Sequence, residues 1–356
     1  MGKKLLKSRK RREQTIAIII VSAVVLIVTA LILVFAASQN SDFGEHDHDH
    51  DHAGMVNLKV SLAAGEHDIH YASVEKFKEL VESKSDGEIT VSIHGSEELG
   101  TGSTVLESIV REEEKAEIVI TSVSDFLSLD ARMDISAMPF LFNSYDEAVQ
   151  FMNGSIQSEI AGELLKKNVN VLTYYTDGFD HLISNRTVSN PVDMTGLQIG
   201  TSDERQTTTI IKFFNAKHVL LQKNTVFQAF QNNECNAYMG SLDTMVKYHL
   251  YEKQKYVSMT YHKYNALAFA ISDEVWDSLT EEQQNIVASA AKASAQQDVE
   301  NMKLTESNAI KRMEGAGIRV IRPNRSAFVE RAVAIVRGNQ SKYGAYVERI
   351  ISEYMK

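Results

Sequence analysis

The chain has 356 residues, 44% apolar and 24% charged, so it is long enough to bury a sizeable core and to form two domains. Its formal net charge of −10 argues against nucleic acid as a partner, because phosphate binding requires a basic face. The single cysteine, Cys235, excludes an intramolecular disulfide and a CxxC metal or redox site, and a buried apolar role is its simplest interpretation.

The N-terminus combines a basic segment with a long apolar run. Residues 3–12 carry seven positive charges, and residues 15–37 form 23 consecutive positions without a charge. About 20 apolar residues span a bilayer, and a basic flank stays in the cytoplasm. The pattern therefore predicts a cytoplasmic segment at 1–14, a transmembrane signal anchor at 15–37 and export of the remainder. The alternative is cleavage near residues 35–38, which would release a secreted protein.

A polar linker with alternating histidine and aspartate follows the apolar run. Residues 38–56 are predicted to be disordered because of their composition. His46, His48, His50 and His52 offer imidazoles of the kind that bind zinc, copper or nickel. Since alternation in a flexible segment fixes no tetrahedral geometry, we expect weak or buffering metal binding here.

Strands and amphipathic helices alternate through the next part of the chain. Strands are predicted at 58–62, 88–93 and 116–121, with helices at 70–83 and from about Thr104. This order is typical of a parallel sheet covered by helices on both faces, which places the protein in the α/β class.

The pattern continues to the C-terminus, interrupted by a turn at Asn190 and Pro191. The predicted helices are 145–152, 156–167, 207–214, 225–232, 243–248, 280–314, 326–336 and 343–354, and the predicted strands are 169–175, 182–183, 197–199, 218–221, 256–260, 264–271 and 318–321.

The helix at 280–314 is the longest of these elements. Thr280 and Gln283 form a capping box at its start, and Gly315 and Gly317 end it. At 1.5 Å per residue it is about 50 Å long, which exceeds the width of one lobe.

Five segments occur in a fixed order: GEITVSIHGSEELG at 87–100, EIVITS at 117–122, MPFLFNS at 138–144, MTGLQIGT at 194–201 and TVFQAFQNNECNAYMGSL at 225–242. Their order and spacing resemble those of the solute-binding proteins of TRAP transporters, the DctP family, from residue 56 to the C-terminus. The resemblance implies a two-lobed fold of the periplasmic-binding-protein type, with a ligand cleft between the lobes and the long helix along the back of both.

The resemblance also implies a division of the chain and a function. Lobe I would contain residues 57–177 and 265–300, and lobe II residues 178–264 and 301–356, with hinge bending near Gly178 and Tyr264. Such a protein captures a small organic solute outside the cytoplasm and delivers it to separate membrane permease subunits. We expect no enzymatic activity and no cofactor, because GxSxG, HExxH, P-loop and GxGxxG motifs are all absent from the sequence.

Three positions at which the family contacts its ligand differ in this chain. In the family's DLxGLKIRV motif the ligand arginine corresponds to Gly200; a second arginine corresponds to Asp180, and a ligand asparagine to Gly240. Loss of two cations favours a neutral or cationic ligand with Asp180 as counter-ion, unless Asp180 is a solvated turn residue. Arg205 and Arg186 are expected at the surface; either one pointing inward would favour an anionic ligand.

Loops at strand C-termini supply the other candidates for ligand binding. The predicted lining residues are Glu66, His67, His70, Glu98, Thr121, Ser122, Ser124, Tyr175, Phe179, Tyr238 and Ser241. His67 and His70 are spaced for joint metal ligation, although hydrogen bonding is the simpler expectation. Two other functions stay open: a metal-capturing surface protein that uses the His-Asp tract, and a ligand-sensing ectodomain that acts through a partner.

Overall fold

The structure, a computed structural model, describes residues 55–113, 115–206 and 209–355. The predicted cytoplasmic segment, the anchor and all but the end of the His-Asp linker lie outside the described residues. Within the described ranges, no helix combines the length and the apolar character that a bilayer crossing requires.

One mixed sheet of nine strands forms within the described ranges. The strands are β1 (Val56–Leu62), β2 (Ile89–His94), β3 (Ile118–Ser122), β4 (Val169–Ser184), β5 (Gln198–Thr201), β6 (Lys217–Leu220), β7 (Ala237–Ser241), β8 (Tyr256–Ser272) and β9 (Arg319–Ile321). Their order is β2-β1-β3-β8-β4-β7-β5-β6, with β9 paired to β8. The pairs β1–β2, β1–β3, β5–β6, β5–β7 and β8–β9 are parallel, whereas β4 and β8 run antiparallel to their other neighbours.

Eleven α-helices in the described ranges cover this sheet and its edges. They are α1 (Ile69–Lys84), α2 (Gly102–Val110), α3 (Tyr145–Met152), α4 (Ser155–Gly162), α5 (Val226–Gln231), α6 (Leu242–Lys247), α7 (Asp273–Ser278), α8 (Glu281–Gly315), α9 (Arg325–Gly338), α10 (Gln340–Tyr343) and α11 (Tyr346–Tyr354). The helix predicted at 207–214 is wrong in type, because a 3₁₀ turn at Glu204–Gln206 and a π-helical turn at Thr209–Phe213 occupy this region.

Two long strands, β4 and β8, pass through both halves of the sheet. The C-terminal half of β4 pairs with the N-terminal half of β8, as in the pair Ser184–Tyr256. The N-terminal half of β4 pairs with the C-terminal half of β8, as in the pair Thr176–Ala266. The register shifts twice between these regions, once on each side of the pair Asp180–Lys263. Each strand was predicted as two separate elements, but pairing continues through the irregularities and makes both continuous.

Each half of the sheet has its own apolar cluster, and a third cluster joins them. Val60 and Phe77 belong to the cluster of the first half, whereas Met245 and Val257 belong to that of the second. Helix α8 contributes Val287 to the first cluster, and Ala309 and Met313 to the second. The chain therefore has two lobes, and α8 runs along both, starting from the predicted capping box.

The C-terminal helices contact both lobes. Arg325 donates hydrogen bonds to the carbonyl oxygens of Phe140 (2.8 Å) and Phe142 (3.0 Å), while the Phe328 ring lies edge-to-face with Phe214. The lobe boundaries stay a prediction.

Candidate functional site

A cleft of about 250 Å³ opens between the lobes, where β4 and β8 cross. The C-terminal ends of β3, β5 and β7 converge on it, which is where α/β sheets bind ligands. The lining comprises residues 122, 177, 180, 201–203, 205, 223, 238–241, 244, 263 and 265–267.

Asp180 is a buried residue of β4 and not a solvated turn residue. Its carboxylate accepts hydrogen bonds from Gln206 Nε2 (2.8 Å) and Asn265 Nδ2 (3.0 Å), and Lys263 Nζ lies 3.9 Å away. Only 7% of the residue is exposed. The protein itself therefore satisfies much of the hydrogen-bonding capacity of this carboxylate.

Asp203 pairs with two cations of the cleft lining, Arg205 and Lys263. Its carboxylate accepts two hydrogen bonds from Arg205, at 2.8 Å from Nε and 3.0 Å from Nη2, and one from Lys263 Nζ at 2.7 Å. Burial opposes ionisation of Asp203, but the contacts with Arg205 and Lys263 outweigh it and hold the pKa of that carboxyl well below its usual range. Arg205 thus reaches the cleft already bound to an internal carboxylate.

The other two charged lining residues are more accessible. The side chain of Asp177 is 48% exposed, and its nearest cationic partner is His70 Nε2 at 3.7 Å. Lys223 is exposed and makes no ion pair within 4 Å to any residue in the described ranges. Asp177 and Lys223 are therefore the charged groups most available to a solute.

His70 connects the cleft to the long helix. Its Nδ1 lies 2.8 Å from Oδ1 of Asp298, a fully buried residue of α8 whose other oxygen accepts a hydrogen bond from the Thr176 backbone N–H at 2.9 Å. Burial favours the neutral imidazole, but Asp177 and Asp298 outweigh it and raise the pKa of His70 to about 10. His70 is thus a buried cation that ties α1, α8 and the crossing strand together.

His67 and His70 do not form the metal pair that their spacing allowed. His67 is exposed, and both ring nitrogens of His70 face carboxylates. The part of the chain that the structure describes contains no group of three or more His, Cys, Asp or Glu residues that could hold a metal ion. His46, His48, His50 and His52 lie outside that part.

Residues 60–342 match the family model described as "Bacterial extracellular solute-binding protein, family 7" (DctP). The chain belongs to this family. The 2,3-diketo-L-gulonate-binding periplasmic protein of Escherichia coli K12 is 22% identical over 76% of this chain and 83% of its own length. The sialic acid-binding periplasmic protein of Vibrio cholerae is 22% identical over 81% and 89%, respectively.

The fold also matches solved structures of TRAP periplasmic solute-binding proteins. One from Ochrobactrum anthropi superposes with a TM-score of 0.80 at 22% identity, over 85% of this chain and 95% of its own. The similarity supports the two-lobed fold and agrees with the resemblance on which the sequence analysis rests.

The two glycines that the resemblance assigns to ligand positions, Gly200 and Gly240, have different surroundings. A Cβ on Gly200 would lie 2.8 Å from Leu221 Cδ1 and 3.4 Å from Cys235 Sγ, so this position faces the core of the second lobe and lies outside the lining. Gly240 does line the cleft, but a Cβ there would lie 2.6 Å from Cε1 of Tyr238. The Tyr238 ring therefore covers the space over Gly240.

Three other predicted residues line a different opening. Glu66, His67 and Glu98 contribute to a cavity of about 620 Å³, which Lys247 of the second lobe also lines. This cavity has no lining residue in common with the cleft. These side chains were expected at strand ends near the ligand, but they line this second cavity and not the cleft.

Further predicted residues are structural or lie at the cleft wall. Tyr175 is fully buried and donates a hydrogen bond to Ser294 Oγ at 2.8 Å, away from the cleft. Phe179 is also fully buried in the core. Arg186 donates to the carbonyl oxygens of residues 193 and 195. Ser122 and Ser241 line the cleft, each capping the helical turn that follows it.

Sequence analysis missed several lining residues. Asp177 and Lys263 each precede a predicted hinge residue, Gly178 or Tyr264, so their position beside the crossing was the available signal. Asp203 and Lys223 carried no such signal, because ordinary charged residues in loops are usually solvated.

Proposed function

We propose that this chain is the extracytoplasmic receptor of a TRAP-type secondary transporter. It captures a small organic solute between its lobes and delivers it to integral membrane permease subunits, where an ion gradient supplies the energy. The observation that carries the proposal is the cleft at the crossing of β4 and β8, lined by both lobes, in a chain of this family.

Closure is proposed to occur by hinge bending at the crossing strands. Both register shifts that flank the pair Asp180–Lys263 interrupt the ladder there, and Gly178 has a left-handed φ of +74°. Fewer regular ladder bonds make this segment easier to bend than the paired regions on each side. We further propose that residues 15–37 keep the receptor at the membrane.

The charges of the cleft favour a polar solute with little net charge. Asp180 and Asp203 together face Arg205 and Lys263, and Asp177 and Lys223 add one charge of each sign. These charges sum to zero. A solute with a strong net charge would therefore be buried on closure without an opposite net charge in the site to compensate it. We therefore propose a neutral or zwitterionic solute with hydrogen-bonding groups.

An organic acid is the second candidate. The two relatives described above bind 2,3-diketo-L-gulonate and sialic acid, according to their names. In this chain Arg205 points into the cleft, and Lys223 is accessible to a carboxylate. A carboxylate that displaces Asp203 from Arg205 would gain a bidentate, charge-assisted contact.

A thermal-shift screen of the whole chain in detergent decides between these candidates. The solutes are grouped as neutral polyols, zwitterions and carboxylates of similar size. A solute present at ten times its dissociation constant stabilises the protein by about 1.4 kcal/mol. We expect the neutral or zwitterionic group to stabilise the chain. Absence of stabilisation by every solute would refute the receptor function.

Arg205→Ala tests the second candidate. If only carboxylates stabilise the chain and Arg205→Ala abolishes that effect, the solute is an organic acid. Arg312→Ala is the matched control, because Arg312 is an exposed arginine of α8 outside the cleft lining. If the neutral or zwitterionic group is correct, Arg205→Ala leaves most of the stabilisation in place.

A further inference from the structure

Tyr238 is one of the residues that the second lobe contributes to the cleft lining. It is on β7, which pairs with β4 through Ile183 and with β5 through Gly200. Side chains alternate along a strand, so Tyr238 and Gly240 project from the same face of the sheet. The ring of Tyr238 packs in the apolar cluster that also contains Cys235.

The Tyr238 ring occupies the space into which a side chain at Gly240 would project, and it lies in ordinary contact distance of one at Gly200. A Cβ on Gly240 would meet its Cε1 at 2.6 Å, its hydroxyl oxygen at 2.8 Å and its Cζ at 2.9 Å. A Cβ on Gly200 would lie 3.6 Å from its Cδ2, in addition to the contact with Leu221 at 2.8 Å. Neither glycine has a positive φ. Lack of space for a side chain, and not the backbone conformation, therefore explains why glycine occupies both positions.

Tyr238 is almost fully buried, with 1% of the residue exposed, and it belongs to the cleft lining. Its hydroxyl is next to the space above Gly240, and the side chain of Ser202 is its hydrogen-bonding neighbour; both of these residues line the cleft. Burial raises the pKa of Tyr238, and the charge of Asp180 raises it further, so the phenol is neutral. This wall of the cleft thus offers an uncharged hydrogen-bonding group beside a buried carboxylate.

We propose that Tyr238 is a specificity-determining residue of the solute site. Its ring fills the space into which a side chain at Gly240 would project, and its hydroxyl hydrogen-bonds an uncharged polar group of the solute. A carboxylate at this wall lies close to Asp180, so it is disfavoured relative to an uncharged group. The inference rests on the proposed receptor function and names the chemical group that the site selects.

The packing part is tested by a double-mutant cycle on thermal stability. Gly240→Asn places a side chain against the Tyr238 ring, and we expect it to lower Tm by about 5 °C. In a Tyr238→Ala background the same change has space, so its additional effect falls below about 1 °C. Gly162→Asn is the matched control, because no atom lies within 4 Å of a Cβ at Gly162. Equal effects of Gly240→Asn in both backgrounds would overturn the proposal.

The selectivity part uses Tyr238→Phe, which keeps the ring and removes only the hydroxyl. We expect this variant to bind the best neutral or zwitterionic solute of the screen about five- to tenfold more weakly, as the loss of one neutral hydrogen bond predicts. Tyr175→Phe is the matched control, because that hydroxyl contacts Ser294 in the first lobe.

The possible results separate the two hypotheses. An unchanged affinity in Tyr238→Phe overturns the role of Tyr238 and leaves the receptor function intact. Selective stabilisation of the wild type by carboxylates also overturns that role alone. A wild-type chain that binds no solute refutes the receptor function, and the role of Tyr238 with it.

Discussion

Replacement of Asp298 by asparagine removes the carboxylate that pairs with His70 in the interior. Asp298 is fully buried and His70 is 8% exposed, so water does little to stabilise a histidine cation that has lost this partner. A rise of the His70 pKa from 6.5 to about 10 corresponds to about 5 kcal/mol, at about 1.4 kcal/mol per pKa unit. Asp177 supplies part of this rise and stays in place, so about 5 kcal/mol is the upper limit for the loss of Asp298 alone. Breaking a buried ion pair typically costs about 3–5 kcal/mol, which agrees with this magnitude.

The effect of the substitution depends on pH in a defined direction. The pKa of His70 is higher in the folded than in the unfolded chain, so the stabilisation is complete below pH 6.5 and is lost as the pH rises through 10. We expect Asp298→Asn to lower the free energy of unfolding by about 3–5 kcal/mol at pH 6 and by about 1–2 kcal/mol at pH 9.

Urea unfolding of the whole chain, followed by tryptophan fluorescence, measures this difference. Trp276, the single tryptophan, packs against the core of the first lobe, where His70 also lies. Asp146→Asn is the control, because the Asp146 side chain is 88% exposed in its ion pair with Lys303. A loss below about 1 kcal/mol at pH 6, or an equal loss at both pH values, would refute the argument.

A pair of glycine substitutions tests the packing at the proposed hinge, and labelling of Cys235 tests the packing of the core. We expect Gly178→Ala to destabilise the chain by about 1–3 kcal/mol, because its φ is +74° and a Cβ would lie 3.1 Å from Glu306 Oε1 and 3.3 Å from Tyr145 Oη. Gly196→Ala, with a φ of +75° and free space, measures the backbone effect alone, and equal losses in urea unfolding would contradict the contact argument. Burial raises the pKa of Cys235 to about 12, so the thiol should resist a disulfide reagent at pH 8 until urea is added; rapid reaction of the native chain would show the burial to be wrong.

Elements with strong local signals were predicted correctly from the sequence. The boundaries of α3, Tyr145–Met152, match the prediction, and α8 begins after the predicted capping box of Thr280 and Gln283. Cap side chains and apolar periodicity act within a few residues, so a single sequence contains the information that decides them. The crossing strands differ, because the irregularity at Asp177 and Gly178 has the sequence pattern of a turn. Pairing with β8 is what keeps this segment in the sheet.

The sequence by itself determined the family, the alternation of strands and helices, and the crossing segments that line the candidate cleft. Tertiary structure alone decided which side chains meet there. Asp180 is held by Gln206 and Asn265, which are 26 and 85 residues away, and His70 by Asp298, 228 residues away. Sheet pairing and helix packing bring such partners together. The sequence around each residue therefore contains no local pattern that predicts its partner.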